Sequence, residues 1–143
     1  QALTAKSYFG YPKRTASGYD LNRLNLLIAI IEKRAGVDLS THDVYLNIVG
    51  GIKVRENAVD LAVAMSIISA VKNQPIASST AIFGELGLSG EVRSVPNLEK
   101  RVEEAVRLGF ATLLLPRLTK GANIKSKVKV VEVKTLKETV KIL

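Results

Sequence analysis

The sequence AIFGELGLSGEVR, residues 81–93, is the stretch that most constrains the fold. Ala81 to Phe83 predict a short strand. The glycines at positions 84, 87 and 90 are spaced as in a tight reversal between two extended pieces. We therefore expect two short segments to turn back on one another here, between a helix that precedes them and one that follows.

Helical patterns lie on both sides of this reversal. Residues 57–72 are apolar on nearly every face from Leu61 to Val71, which predicts a central helix that ends at 73–75. Residues 98–108 predict an amphipathic helix closing at Gly109. Asp20 is a suitable N-cap for an earlier helix over residues 21–35, with Gly36 as its stop, and residues 135–138 form a capping box that begins a last helix.

Extended segments complete the pattern. Alternating or continuous apolar residues predict further strands at 2–9, 44–49, 111–115 and 127–133. Residues 10–18 are bracketed by glycines and contain Pro12, which predicts a loop. The order predicts an α/β fold, a mixed sheet with helices and no strict βαβ alternation. Without a repeat or linker, we expect one domain over residues 1–143.

Composition excludes several classes of protein. The chain has 143 residues, 47% of them apolar, and no cysteine, which removes disulfides, cysteine-based zinc sites and thiol catalysis. No apolar run approaches the roughly 20 residues of a membrane-spanning helix. No GxxxxGK[ST] motif is present, so we expect no ATP site. His42 is the only histidine, and a lone histidine predicts no metal site. Because the chain begins with Gln, we expect it to be a piece of a longer protein.

Positive charge is concentrated at the two ends of the chain. The formal net charge is +8, with +4 in residues 1–55, −2 in residues 56–96 and +6 in residues 97–143. A field of this sign attracts polyanions, nucleic acids above all. Composition and spacing alone therefore describe a basic α/β domain without an evident catalytic centre.

Several blocks resemble a known family. These are Gly50–Lys53, Asp60–Ser66, Phe83–Pro96 and Glu104–Phe110, with prolines at 75 and 116, and they are similar to the proteolytic domain of Lon proteases. The resemblance implies a mixed sheet with helices, related to the second domain of ribosomal protein S5. The upstream segments Lys13–Leu24 and Leu27–Gly36 resemble more narrowly the C-terminal Lon-like domain of the RadA (Sms) family of bacterial DNA-repair proteins.

The chain departs from Lon at the two catalytic positions. Lon enzymes use a serine nucleophile and a lysine that accepts its proton. Registering the blocks places Ala58 at the serine position and Glu99 at the lysine position. A methyl group cannot attack a carbonyl, and a carboxylate has the wrong charge and reach for this base. We therefore expect no peptidase activity. Lys100 and Lys53 lie nearby, but a displaced base has no serine at position 58 to activate.

The resemblance also implies a role for the parent protein. RadA-type proteins resemble RecA and DnaB motors, form hexameric rings, and use ATP for branch migration and strand extension in homologous recombination. Their ATP, magnesium and zinc would be bound before Gln1, and this domain would hold no cofactor or metal. The implied partners are DNA, further copies in a homo-hexamer and a RecA-type recombinase, in the cytoplasm and not at a membrane. The domain itself would be a non-catalytic assembly and DNA-binding module.

Basic residues outside the predicted core are the candidates for DNA contact. They are Lys13, Arg14, Arg23, Lys33, Arg34, Lys53, Arg55 and Arg93. Lys13 and Arg14 are favoured because no core packing requires a basic loop, and Arg34 has the alternative of capping helix carbonyls. Only Tyr11 and Tyr19 lie among these residues, so we expect contacts to the DNA backbone and sequence-independent binding.

Three alternatives stay open at this stage. The first is a Lon-like peptidase with a relocated dyad, against which Ala58 and Glu99 already count. The second is the Lon-like domain of a magnesium-chelatase-like competence ATPase, whose block around residues 83–95 is similar but which lacks the Lys13–Arg23 pattern. The third is a purely structural role, in which the domain forms rings without contacting DNA.

Overall fold

The computed structural model describes residues 1–8, 10–118 and 128–142. Its first sheet contains β1 (Ala2–Lys6), β2 (Arg14–Ser17) and β3 (His42–Asn47) in the order β1-β3-β2. β1 runs antiparallel to β3, and β2 runs parallel to it. Thr4, Val44 and Arg14 share one row across the sheet, and Val44 is fully buried. Arg14 therefore lies on the face of the sheet that packs on the core.

Two helices cover that face. Asp20 caps α1 (Leu21–Ile30) by accepting a hydrogen bond from the Arg23 amide, and the helix continues through a π-helical turn, Ile31–Ala35, to Gly36 at φ 70°. α2 (Asp60–Lys72) follows a 3₁₀ turn at Asn57–Val59 and ends at Asn73 in the left-handed conformation. α2 packs against β1, β3 and α1, as its largely apolar sequence predicts.

The second half of the chain builds a second sheet and a hairpin. β4 (Thr80–Ile82) leads into the hairpin of β5 (Glu85–Leu86) and β6 (Val92–Arg93). After α3 (Leu98–Arg107) come β7 (Thr112–Pro116) and β8 (Lys129–Val133), which form a parallel sheet in the order β4-β7-β8. Thr135 then caps α4 (Leu136–Thr139) by accepting from the Glu138 amide.

Two apolar clusters hold these elements together. The larger joins α1, α2 and the first sheet, and includes Leu24, Leu61 and Ile68, all fully buried. The smaller joins α3 to β7 and includes Ala58 from the 3₁₀ turn. Ala58 and the apolar face of α3, the helix that carries Glu99, thus pack in the same cluster.

The α/β prediction is confirmed, with corrections of detail. The predicted loop at 10–18 is wrong over Arg14–Ser17, which form β2 because β3 offers them a parallel edge. The predicted strand at 44–49 begins earlier, at His42, and Val49 lies in a 3₁₀ turn instead. Phe9, predicted at the end of the first strand, and Lys127, predicted at the start of the last, lie outside the described residues.

Candidate functional site

Ala58 is the residue that the sequence resemblance places at the serine position of Lon proteases. It lies in the 3₁₀ turn directly before α2 and is only 4% exposed. Its carbonyl accepts a hydrogen bond from the amide of Gly84 at 2.9 Å, which fixes the turn against the start of the hairpin. Its methyl group packs in the cluster that contains Val95 and Leu98. The position is therefore part of an apolar core, where no reacting group is presented.

Glu99, which the resemblance places at the lysine position, is exposed in the first turn of α3. Two residues further on, Arg101 donates a pair of hydrogen bonds to the carboxylate of Glu56, at 3.1 and 2.6 Å, and a third to the Pro96 carbonyl at 3.0 Å. The hydrogen bonds from Arg101 lower the pKa of Glu56 below its ordinary value. Because Glu56 lies two residues before Ala58, this bidentate pair ties the Ala58 turn to α3.

The relocated-dyad alternative requires a serine hydroxyl beside a lysine amine. Among the side-chain hydrogen bonds of the described residues, the hydroxyls of Ser40, Ser66 and Ser69 donate to a carboxylate or to backbone carbonyls. Within the described residues, no hydrogen bond joins a serine hydroxyl to a lysine amine. The structure of that part of the chain thus does not support a relocated dyad.

A buried carboxylate lies at the first residue of α2. Asp60 is fully buried and accepts from four donors: the Tyr19 hydroxyl at 2.7 Å, the Leu86 amide at 3.2 Å, and Nε (3.2 Å) and Nη2 of Arg23. Arg23 Nη2 also donates to the Leu86 carbonyl at 2.9 Å. Burial and the bond to Asp60 raise the pKa of the Tyr19 hydroxyl. The network joins α1, α2 and β5 at the base of the Ala58 turn.

Four of the predicted DNA-contact residues are engaged within the domain. Arg14 donates to the carbonyls of Leu39 (3.0 Å) and His42, and Arg23 pairs with Asp60. The guanidinium groups of Arg14 and Arg23 are therefore directed mostly into the fold, and not toward the surface where DNA would bind.

Arg34 and Arg93 are engaged at the surface. Arg34 donates to the Leu88 carbonyl at 3.1 Å, in the hairpin loop and not at its own helix end. Arg93 pairs with Glu91 and, at 3.6 Å, with Glu85. The carboxylates of Glu85 and Glu91 therefore largely neutralise the positive charge of Arg93.

The remaining four candidates, Lys13, Lys33, Lys53 and Arg55, are exposed. The backbone amide of Lys13 donates to Asp43 at 2.7 Å; this bond first, and to a smaller extent the Lys13 ammonium, lowers the pKa of Asp43. Lys13 therefore has an acidic neighbour. No ion pair to Lys33, Lys53 or Arg55 is formed by any residue within 1–8, 10–118 or 128–142.

Lys53 and Arg55 lie on a segment, residues 52–55, that is held beside the first sheet. The Val54 amide donates to the Gly18 carbonyl at 2.8 Å. Gly18 has φ +76°, and a Cβ there would stand 2.4 Å from the Ile52 carbonyl oxygen. The 52–55 segment can therefore approach only because position 18 carries no side chain. Its two basic side chains point away from the core, close in sequence to Ala58.

Sequence reasoning missed the partners that engage the arginines. A single aspartate at the start of an otherwise apolar helix was the available signal for the Asp60 network, since a buried charge requires several donors. The pairing of Glu56 with Arg101 had no such signal, because the two residues are distant in sequence and meet only when the Ala58 turn packs on α3.

Two further properties bear on the kind of site. Within the described residues, no group of three or more histidine, aspartate or glutamate side chains is placed to hold a metal ion. No helix in that part of the chain is long and apolar enough to cross a membrane.

Comparison with known proteins agrees with the sequence resemblance. The family model described as subunit ChlI of Mg-chelatase matches residues 23–119, more than half of the chain. The chain is also similar to curated proteins named DNA repair protein RadA: 44% identical to that of Listeria monocytogenes and 43% to that of Streptococcus pneumoniae, each over 99% of this chain, and 48% to that of Helicobacter pylori over 82% of it.

The two kinds of match cover different lengths. The chain spans 31%, 34% and 26% of these three relatives, about a third or less of each. The family model begins at residue 23, whereas the Listeria and Streptococcus relatives also cover almost all of the upstream segment that contains Lys13 and Arg14. The chain therefore belongs to the family described as subunit ChlI of Mg-chelatase, in the Lon-like form that makes up the C-terminal region of RadA proteins.

Proposed function

We propose that this chain is a DNA-binding domain without peptidase activity, within a longer DNA-repair ATPase. The observation that carries the proposal is that Lys53 and Arg55 are exposed and form no ion pair within the described residues, close in sequence to position 58. The arginines that bind carboxylates and carbonyls hold the scaffold together, whereas these two cations do no comparable work for the fold. The name of the relatives, DNA repair protein RadA, supports DNA as the polyanion.

The physical basis is counterion release. A cation that contacts a DNA phosphate displaces condensed ions, so the logarithm of the binding constant falls by about 0.9 per contact for each tenfold increase in salt. Lys53 and Arg55 can contribute two such contacts from one rigidly placed segment. Backbone contacts of this kind do not depend on base sequence.

The residue at position 58 supports the proposed absence of peptidase activity. A buried methyl group provides no nucleophile, and the bidentate bond between Glu56 and Arg101 ties the turn that carries Ala58 to α3. We expect the purified chain to leave an unfolded casein substrate intact during prolonged incubation. Steady cleavage that disappears when one of its serines is changed to alanine would contradict this part of the proposal.

The properties of the whole protein are included in the proposal. By similarity to RadA-type motors, the parent would bind ATP, magnesium and zinc in its N-terminal part, assemble as a homo-hexamer with this domain contributing to the ring, and act in the cytoplasm with a RecA-type recombinase during branch migration. Light scattering of this chain, with and without DNA, measures whether the domain assembles by itself.

The DNA-binding proposal is tested with a double variant, Lys53→Ala with Arg55→Ala. Binding of a labelled duplex is measured by fluorescence anisotropy at several salt concentrations. We expect weaker binding and a salt slope smaller by about two units. The control is Lys137→Ala with Lys141→Ala, which removes the same charge from exposed positions near the C-terminus. A slope that is unchanged in the first variant, or reduced equally in both, would overturn the assignment to the 52–55 segment.

A further inference from the structure

The loop between β1 and β2 presents two tyrosines to solvent. We define the tyrosine loop as Tyr8 and Gly10 to Pro12. Tyr11 is 96% exposed and Tyr8 is 79% exposed. A tyrosine ring in the core contributes a large apolar area to stability, but these two contribute almost none. Neither hydroxyl takes part in a hydrogen bond recorded among the described residues, so the fold itself gives no reason for aromatic side chains here.

The base of the tyrosine loop is firmly held although its tip projects. On one side, the Ser7 amide donates to the Thr41 carbonyl at 2.8 Å. On the other side, the Lys13 amide donates to the Asp43 carboxylate at 2.7 Å, and the Arg14 guanidinium donates to the Leu39 carbonyl at 3.0 Å. Both ends of the loop are thus attached to the same segment, residues 39–43. The rings are carried on a short, anchored turn, which lowers the entropic cost of binding a flat ligand.

Exposed lysines stand at both ends of the tyrosine loop, with two aspartates on or beside the segment that anchors it. Lys6 and Lys13 are exposed at its two ends, and no ion pair to Lys6 is formed within the described ranges. Asp43 faces Lys13, and Asp38 lies on the neighbouring segment, where its carboxylate accepts from Ser40. Exposed aromatic rings between lysines are the combination by which proteins bind single-stranded nucleic acids, since rings stack on bases and cations meet phosphates.

We propose that the tyrosine loop is a stacking site for unpaired bases of single-stranded DNA. The inference rests on the proposed DNA-binding function and adds a strand preference to it. Bases in a duplex are stacked on one another and offer no free face, so Tyr8 and Tyr11 act only on unpaired strands. The site therefore adds base stacking to the backbone contacts that the sequence led us to expect.

The tyrosine loop is separate from the 52–55 segment. The loop lies where β3 begins, and the 52–55 segment lies where β3 has ended. The six residues of β3 separate these two ends by about 17 Å, at roughly 3.4 Å per residue. Substitutions at one place leave the other intact, which allows the two contributions to be measured independently.

The test compares Tyr11→Ala with Tyr11→Phe in the full chain. Affinity is measured for a labelled oligothymidine strand and for a duplex of the same length. We expect Tyr11→Ala to weaken single-strand binding about 5- to 150-fold, the range that corresponds to one lost stacking interaction. Tyr11→Phe retains the ring and should bind like the wild type. Because Tyr11 lies outside the core, both variants should fold, which circular dichroism can verify.

Tyrosine fluorescence gives a second, direct measurement. The chain has four tyrosines and no tryptophan, so tyrosine emission can be observed without interference. Tyr8 and Tyr11 are the highly exposed pair, whereas Tyr19 and Tyr45 are partly buried. We expect oligothymidine to quench the emission of the wild-type chain, and the quenching to be largely lost in the variant Tyr8→Ala with Tyr11→Ala.

The outcomes distinguish this inference from the proposed function. If Tyr11→Ala binds the oligothymidine strand as tightly as the wild type while Lys53→Ala with Arg55→Ala reduces the salt slope, the stacking site is refuted and the proposed function stands. If Tyr11→Ala and Tyr11→Phe weaken single-strand and duplex binding equally, stacking is also refuted. If the wild-type chain binds neither form of DNA, the proposed function itself is wrong, and the stacking inference with it.

Discussion

The substitution Asp60→Asn tests the buried network most directly, because it changes charge and hydrogen bonding without changing shape. The Asp60 carboxylate accepts from four donors that belong to Tyr19, Arg23 and Leu86. An asparagine has one acceptor oxygen and one amino group, and its amino group would face donors. At least two donors would then lose their partner, and the Arg23 guanidinium would lose its counter-charge.

The magnitude follows from burial. Removing one partner of a buried ion pair costs about 3–5 kcal/mol. Because the Arg23 side chain is 22% exposed, we expect the loss of stability at the lower end of this range, about 3 kcal/mol. The entropy of unfolding is roughly 2.1 cal/mol/K per residue, so for 143 residues this loss corresponds to a decrease in Tm of about 10 °C.

The assay is urea unfolding at neutral pH followed by circular dichroism. Asp20→Asn is the matched control, since it removes the same charge from an exposed cap where asparagine performs as well as aspartate. Tyr19→Phe removes a single donor, and its loss of stability should lie between those of Asp20→Asn and Asp60→Asn, at about 1.5 kcal/mol. A loss of less than about 1 kcal/mol for Asp60→Asn would show that the network does not hold α1, α2 and β5 together.

Two further predictions concern the segments that precede Ala58. Glu56→Gln should destabilise the chain by about 1 kcal/mol or less at neutral pH, because an exposed pair is screened by solvent. Since Arg101 lowers the pKa of Glu56, the loss of unfolding free energy in Glu56→Gln should be complete above the ordinary pKa of 4.5 and should shrink as the pH falls through the folded-state pKa. Urea midpoints of variant and wild type that diverge further in acid would contradict this. Gly18→Ala should destabilise the chain more than Gly109→Ala, because both glycines have positive φ but only at position 18 would the new Cβ meet a carbonyl oxygen, that of Ile52. Equal midpoints for these two variants would refute the close approach.

Sequence patterns predicted the elements whose signals are local. The helix from Leu21 was predicted from its Asp20 cap and its Gly36 stop, both of which the structure confirms. The hairpin at 84–93 followed from its glycine spacing. The strand at Arg14–Ser17 was not predicted, since its residues alternate weakly and its only pairing is parallel, with β3 about 30 residues away in the chain. Such pairing is decided by tertiary contacts, which a local pattern does not contain.

The same distinction applies to the candidate site. Ala58 and Glu99 were identified from the spacing of the Lon-like blocks, but the sequence could not indicate that position 58 is buried or that Glu56 and Arg101 meet. The basic candidates were assigned to DNA from their charge and their predicted place outside the core. Charge is a property of the residue, whereas availability depends on which acceptors the fold places around it.

Arginine and lysine are divided between these two roles for a chemical reason. The guanidinium group has five donors in a planar fork, so it can satisfy several carbonyl and carboxylate acceptors at once. Arg14, Arg23 and Arg101 each do so at a junction between separate elements. The lysine ammonium is a strongly hydrated point charge on a flexible chain, less suited to such junctions. In this scaffold Arg14, Arg23 and Arg101 therefore hold elements together, and under the proposed function the charge that attracts a polyanion resides on exposed side chains such as Lys53 and Arg55.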